Sequence, residues 1–359
     1  NLNPNPGYGT HISGSTSGDF GFDATLTGNP SLFTFDNSTQ QQWSSIDNTN
    51  TNTLDAGSPY RLFIRGDRSR DLNDNNTTPT NTTIRSRGNL VSGSLTTGID
   101  LPALAQEGGK FSFLGNPYQA IVNFSSLKFI GDVNPNFLYL WKADESTQGA
   151  YVTIGPEAPL PQILNPGQSF FVVNSETVTS APAIEFNESD KSSGILIVGP
   201  PIDGPQPQSI SMAKANLELY DHNDSRVDIM KFRFEPGAEN GIDDFDAPKL
   251  GNLTENLASV NNNSLLAIER RNIPESTEIV PLFINQYQTD QYEFRLETTN
   301  WDSSINVYIV DHYLNSETLI NENQAYSFSL DTSIPESMAT DRFSLSFDNT
   351  TLSFVDADF

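Results

Sequence analysis

The residues with types and spacing suited to chemistry are carboxylates. Asp221, Asp224 and Asp228 stand three and four apart with Asn223 between the first two, and Asp243, Asp244 and Asp246 follow downstream beside Glu239 and Asn240. Hard cations such as Ca2+ take roughly six to eight oxygens from carboxylates, amides and backbone carbonyls. A loop rich in Asp and Asn can supply them. Asp221, Asn223, Asp224, Asp228, Asp243, Asp244 and Asp246 are therefore the candidate metal set, and Ca2+ the candidate cofactor. The spacing is not that of an EF-hand, because Asp221-His222-Asn223-Asp224 lacks the Gly at position six and the closing Glu. The competing reading is a solvated acidic surface in a chain that is acidic throughout. A second loop, Asp71-Leu72-Asn73-Asp74-Asn75, is explained equally by turn preference.

No residue is assigned a catalytic role. His11, His222 and His312 are far apart in sequence, and a metal site needs partners. Gly14-Ser15-Thr16-Ser17-Gly18 has the letters of a nucleophile elbow but sits in a Gly/Ser stretch without a strand-to-helix context. Among 45 acidic residues some pair always lies at a glycosidase separation, so that pairing carries no information. No Gly-rich phosphate loop or dinucleotide fingerprint occurs. Trp43 and Trp301, in polar surroundings, are the candidate ligand-binding residues, since an exposed aromatic face suits a sugar ring. Trp141, inside an apolar run, reads as a core anchor. Arg65-Gly66-Asp67 matches an adhesion tripeptide, but a strand end with a glycine turn explains it better. The Asn-x-Ser/Thr triplets follow from the high Asn, Ser and Thr content.

Composition narrows the class further. The 359 residues carry 45 Asp and Glu against 19 Lys and Arg, a net charge of −26. That balance argues against a nucleic-acid binder or an anionic-membrane binder, both of which need a basic face. Cysteine is absent, which excludes disulfides, thiolate metal sites and a thiol nucleophile. No stretch approaches the roughly 20 apolar residues of a membrane span. The opening Asn1-Leu2-Asn3-Pro4 has no leader character, so an exported form is expected to be a processed product or a fragment. The 23 Phe and 11 Tyr are ample for a packed core.

Elements that could position these residues read as β. Tyr326-Ser327-Phe328-Ser329-Leu330 and Phe343-Ser344-Leu345-Ser346-Phe347 alternate fully, which predicts strands with one face in the core and one in water. Tyr60–Arg65 alternates in part, and Phe137–Trp141, Phe170–Val173, Ile195–Val198 and Val307–Val310 are apolar runs. The best helical stretch, Leu250–Ala258, is short and contains Gly251. Residues 199–208 hold four prolines and two glycines and read as a stiff linker. The expected fold is all-β, with two β-sandwich or jelly-roll-like domains at 1–198 and 209–359 joined by that linker. Ser44–Thr53 and Asp71–Thr83 are expected to be long surface loops.

Several phrases occur in a familiar order: Arg65-Gly66-Asp67-Arg68, Gly115-Asn116-Pro117-Tyr118, Leu138-Tyr139-Leu140-Trp141, Pro166-Gly167-Gln168-Ser169-Phe170-Phe171-Val172 and Phe186-Asn187-Glu188-Ser189-Asp190-Lys191. Past the linker come Asp246-Ala247-Pro248-Lys249-Leu250, Leu266–Arg271, Val307-Tyr308-Ile309-Val310-Asp311 and Asp341-Arg342-Phe343. This order resembles the region upstream of the sorting domain in large surface proteins exported by the type IX secretion system of Bacteroidetes. The resemblance implies β-sandwich domains, a cell-surface or secreted location, and adhesion or binding. Members usually end in a sorting domain, and since none is evident before Asp358-Phe359 it is expected either to be removed during export or to lie outside this sequence. The expected function is thus that of a non-enzymatic adhesin, or of a structural component of a larger surface assembly whose partners are other cell-surface or secretion-system proteins. A Ca2+-dependent carbohydrate-binding module is the alternative, and a secreted hydrolase the second.

Overall fold

A computed structural model describes residues 9–38, 40–74, 78, 80–84, 88–146, 148–156, 158, 162–192, 212–276 and 278–349. The linker 199–208 and the run Ile195–Val198 lie outside the described residues. The architecture is all-β, and the helical turns among the described residues are short 3-10 segments, the longest being Pro335–Met338. The chain divides into two compact units, Asn1–Pro135 with Leu160–Pro201, and Asn136–Pro159 with Ile202–Phe359.

The first unit is built from small sheets. Leu32–Phe35 pairs on its two sides with Trp43–Ser45 and Arg61–Leu62, and Phe111–Gly115 pairs antiparallel with Ser169–Asn174. The other side of Phe111–Gly115 is closed by amide side chains standing in for a strand. Asn37 Oδ1 accepts from Phe113 N at 2.7 Å and Asn37 Nδ2 donates to Phe113 O at 3.2 Å. Gln41 makes the same pair of bonds with Phe111, both at 2.8 Å. An open sheet edge left uncovered is a template for another chain, and these amides remove it.

The second unit contains one large sheet. Its strands are β1 (Ala213–Asp221), β2 (Arg226–Phe234), β3 (Ala247–Pro248), β4 (Asn256–Asn261), β5 (Ser264–Arg271), β6 (Ile279–Asn285), β7 (Gln291–Thr299), β8 (Ile305–Asp311), β9 (Ser316–Ile320), β10 (Tyr326–Ser329) and β11 (Phe343–Asn349). The spatial order is β9-β8-β11-β6-β4-β5-β2-β1-β7-β10, with β3 beside β5. β6 turns the corner, because residues 279–281 pair with β11 and residues 282–285 pair with β4. A single core collects apolar side chains from the strands of that path other than β5, including Phe232, Phe234, Phe294, Phe328, Phe343 and Phe347. Each fully buried side chain of that size contributes about 1.5–3 kcal/mol.

Three local expectations change. Leu250–Ala258 is not helical: residues 250–255 are irregular and β4 starts at Asn256. Gly251 and the pairing of β4 with β5 and β6 outweigh its weak helix propensity. Tyr60–Arg65 contributes a strand of two residues only, Arg61–Leu62. Phe343–Phe347 forms β11, but both of its faces are covered, and Ser344 and Ser346 are buried. Ser344 Oγ lies 2.9 Å from His312 Nε2, and Ser346 Oγ donates to Glu317. Tyr326–Ser329, in contrast, alternates buried and exposed as its sequence predicts.

Candidate functional site

A groove of about 1010 Å³ lies in the second unit. Four segments build it: the β1–β2 turn, the start of β7, the β8–β9 turn, and β10 with the residues after it.

A buried ion pair anchors the floor. Arg342 and Asp311 are almost fully withdrawn from solvent. Arg342 Nη2 donates to Asp311 Oδ2 at 2.7 Å and Nε to Oδ1 at 3.0 Å. Arg342 Nη1 donates to the carbonyls of Ser329 at 3.0 Å and Ser337 at 2.7 Å. Asp311 also accepts from the Tyr326 hydroxyl at 2.8 Å and from the amides of Tyr313 and Leu314 at 3.0 and 3.1 Å. Burial alone would raise the Asp311 pKa, but the Arg342, Tyr326 and Leu314 hydrogen bonds hold it below the usual value. This pair ties β8, β10 and β11 together and leaves Tyr313 with the Arg342 guanidinium 4.9 Å from its ring centre.

The outer wall carries charge. Arg295 Nη2 donates to Asp224 at 2.5 Å and its Nε to Glu293 at 2.6 Å, while its guanidinium stacks 3.9 Å from the Tyr220 ring centre. Ser327 Oγ donates to Glu293 at 2.9 Å across the β7–β10 pair. The Asp290 side chain is exposed and has no hydrogen-bond or ion-pair partner among the described residues. Asp331 is held below its ordinary pKa by bonds from the Ser333 hydroxyl and amide. Burial raises the Tyr292 hydroxyl to about 12 and, with its bond to Asp311, the Tyr326 hydroxyl to about 12. Both therefore stay protonated at neutral pH and act as hydrogen-bond donors. Five carboxylates (Asp221, Asp224, Asp290, Glu293, Asp331) against two guanidiniums (Arg295, Arg342) leave the lining at a net 2 − 5 = −3 with His222 neutral.

The acidic residues singled out in the sequence go to different places. Asp221 closes its own turn, Oδ1 accepting from the amides of Asn223 at 2.9 Å and Ser225 at 3.0 Å, with Asn223 Nδ2 on Oδ2 at 3.3 Å. Asp224 follows with φ +60° and pairs with Arg295. Asp228 is buried within β2, bound to Lys249 Nζ at 2.5 Å and to the Leu257 amide at 2.6 Å. Asp246 accepts from the amides of Asp243 at 2.8 Å and Arg270 at 2.7 Å, and burial, with Asp243 and Glu269 nearby, raises its pKa to about 7. Asp243 caps the Phe245 amide at 2.8 Å, and the Asp244 carbonyl accepts from Asn136 Nδ2 at 2.9 Å. Spacings of three and four gather side chains on one face of a helix, whereas a turn followed by a strand sends them apart. Among the described residues no group of three or more His, Asp or Glu is arranged to hold a metal ion.

Neither tryptophan forms an open platform. Trp43 packs in the first unit against Phe35, Phe113 and Phe171, and the Arg61 guanidinium lies 3.9 Å from its ring centre. Trp301 packs on Phe234 and donates from Nε1 to Ile305 O at 3.0 Å. Gly66 of the Arg-Gly-Asp phrase is buried at φ +128°, and Asp67 accepts from the Ser69 amide at 2.9 Å. His11 lies 3.2 Å from Asp23, and His222 is exposed at the groove. The site residues that sequence reasoning missed are Asp290, Tyr313 and the Asp311–Arg342 pair. Asp311 and Arg342 each sat in a quoted phrase, but nothing in a sequence links residues 31 positions apart.

No curated protein and no solved structure matches the chain. A family model, described as a domain of unknown function (DUF8693), matches residues 13–347 and so spans both units. The chain belongs to that family.

Proposed function

We propose that the chain is a non-enzymatic cell-surface or secreted protein, acting as an adhesin or as a component of a larger surface assembly, with the groove of the second unit as its ligand-holding surface. The observation that carries the binding part is the lining of that groove. Asp290, without a partner among the described residues, and an exposed Asp331 line the groove with a half-buried Tyr313 and an exposed Leu314, over a floor locked by Arg342 and Asp311. A rigid floor with free polar and apolar groups above it holds a ligand at little ordering cost. Surface location and type IX export rest on the order of sequence phrases alone. A carbohydrate ligand is the second reading, favoured by Tyr313, whose ring is backed by Arg342 and flanked by carboxylates able to accept from sugar hydroxyls.

The test immobilises the chain and passes purified polysaccharides and cell-surface protein fractions over it, beside the double variant Asp290→Lys/Asp331→Lys. Both side chains are exposed, and the Tm of the variant is read beside its retention, so that a loss of fold is told from a loss of binding. Saturable retention that falls roughly tenfold in the variant supports the groove. Equal retention by the variant places binding elsewhere, and no saturable retention of any fraction overturns the reading.

A further inference from the structure

The groove is more than a depression, because it includes a strand edge that is uncovered among the described residues. β10 is the last strand of its sheet and, among the described residues, pairs only with β7. The Leu330 amide donates to Asp290 O at 2.8 Å, which makes residues 290 and 330 a hydrogen-bonded pair. Antiparallel pairing alternates, so 292 with 328 and 294 with 326 are bonded pairs as well. The backbone groups of Ser327 and Ser329 therefore point away from β7. On that side the Ser329 carbonyl is taken by Arg342, which stops the edge there. Among the described residues the amide and carbonyl of Ser327 and the amide of Ser329 have no partner strand, and both residues are exposed. Elsewhere the molecule closes such an edge: Asn37 and Gln41 do so along Phe111–Gly115.

We propose that the free edge of β10 takes up an extended, lysine- or arginine-bearing peptide segment of a partner protein as an added strand. This rests on the reading of the groove as the ligand-holding surface. Main-chain bonds to Ser327 and Ser329 supply the pairing, and alternate side chains of the added strand meet two different walls. One wall is the outer face with Glu293 and Ser327, which are bonded across the β7–β10 pair. The other is the side of Tyr313 and the exposed Leu314. The net −3 of the lining selects a basic segment, because a like-charged strand would be repelled in a chain that already carries −26. Arg295 does not oppose it, being neutralised by Asp224 and Glu293.

The experiment uses the full chain and a fluorescein-labelled decapeptide of alternating Lys and Thr, with alternating Glu and Thr as control. The Lys peptide is expected to bind with a Kd of about 10–100 µM, weakening with salt, while the Glu peptide does not bind. Hydrogen exchange of residues 325–330 is expected to slow on binding. Ser327→Pro removes an amide that faces away from β7, at an edge position that tolerates proline, and is expected to weaken binding roughly tenfold with Tm unchanged. Asp290→Lys, on an exposed side chain, is expected to weaken it roughly fivefold and flatten the salt dependence. Binding that leaves exchange at 325–330 unchanged, or that survives Ser327→Pro, overturns the proposal. So does absence of binding at about 1 mM peptide. If polysaccharide retention is then still lost in Asp290→Lys/Asp331→Lys, the groove stands and only the added strand falls.

Discussion

Replacing Arg342 by Met tests the foundation of the site. The substitution keeps the length of the side chain and removes its hydrogen bonds to Asp311, Ser329 and Ser337. Asp311 stays behind with no solvent exposure, retaining only the Tyr326 hydroxyl and two backbone amides. Breaking a buried pair from one side costs about 3–5 kcal/mol, a large part of the roughly 5–15 kcal/mol that holds a domain together. With a urea slope of about 2 kcal/mol per molar, the unfolding midpoint falls by about 2 M. Fluorescence in a Trp43→Phe background reads the second unit alone, since Trp141 and Trp301 both lie there. Asp311→Asn and the double variant complete the cycle, with a coupling energy of at least about 2 kcal/mol expected. A midpoint shift below about 0.5 M would refute the claim that this pair holds β8, β10 and β11 in place.

The pH dependence has two opposed parts. Asp311 has a lowered pKa in the folded state, so its contribution is present above about pH 4 and is lost as pH falls through the folded value. Asp246 has a raised pKa of about 7, so the native state binds the extra proton between about pH 4 and 7 and stability falls as pH rises through that window. Asp246→Asn is expected to flatten the slope of unfolding free energy over that window; an unchanged slope assigns the titration to another group. Gly66→Ala would place a Cβ 2.5 Å from Thr80 Oγ1 and 2.8 Å from Thr80 N at a positive φ, and is expected to destabilise the first unit by about 2–3 kcal/mol, which Trp43 fluorescence during urea unfolding reports in a Trp141→Phe/Trp301→Phe background. Tolerance within about 0.5 kcal/mol would show that the loop can move. Thermal unfolding in millimolar Ca2+ against EDTA is expected to differ by less than about 1 °C, because the oxygens of Asp221, Asp224 and Asp228 are already engaged. A rise of several degrees would restore a cation site.

The legible parts of the site were those governed by local rules. Asp221-His222-Asn223-Asp224-Ser225 is a turn because an Asx carboxylate can bond amides two and four residues ahead, and it does. The exposed serines of β10 follow from period-two alternation at a sheet edge, where one face meets water. The same alternation misleads for β11, which lies between β8 and β6 and has its polar face covered by His312 and Glu317. Trp43 and Trp301 have polar sequence neighbours, but their spatial neighbours are Phe113, Phe171 and Phe234.

The amino-acid sequence by itself determined the β class, the acidic surface, the absence of thiol chemistry and the turn chemistry of the Asp loops, since each depends on composition or on residues a few positions apart. Only the tertiary structure decided which carboxylates are committed and which are free. Asp228 is neutralised by Lys249, Asp311 by Arg342 and Asp224 by Arg295, through contacts that span 21, 31 and 71 residues, while Asp290 has no partner among the described residues. Charge pairing of this kind depends on distance in space, and the strand order β9-β8-β11-β6-β4-β5-β2-β1-β7-β10 sets those distances.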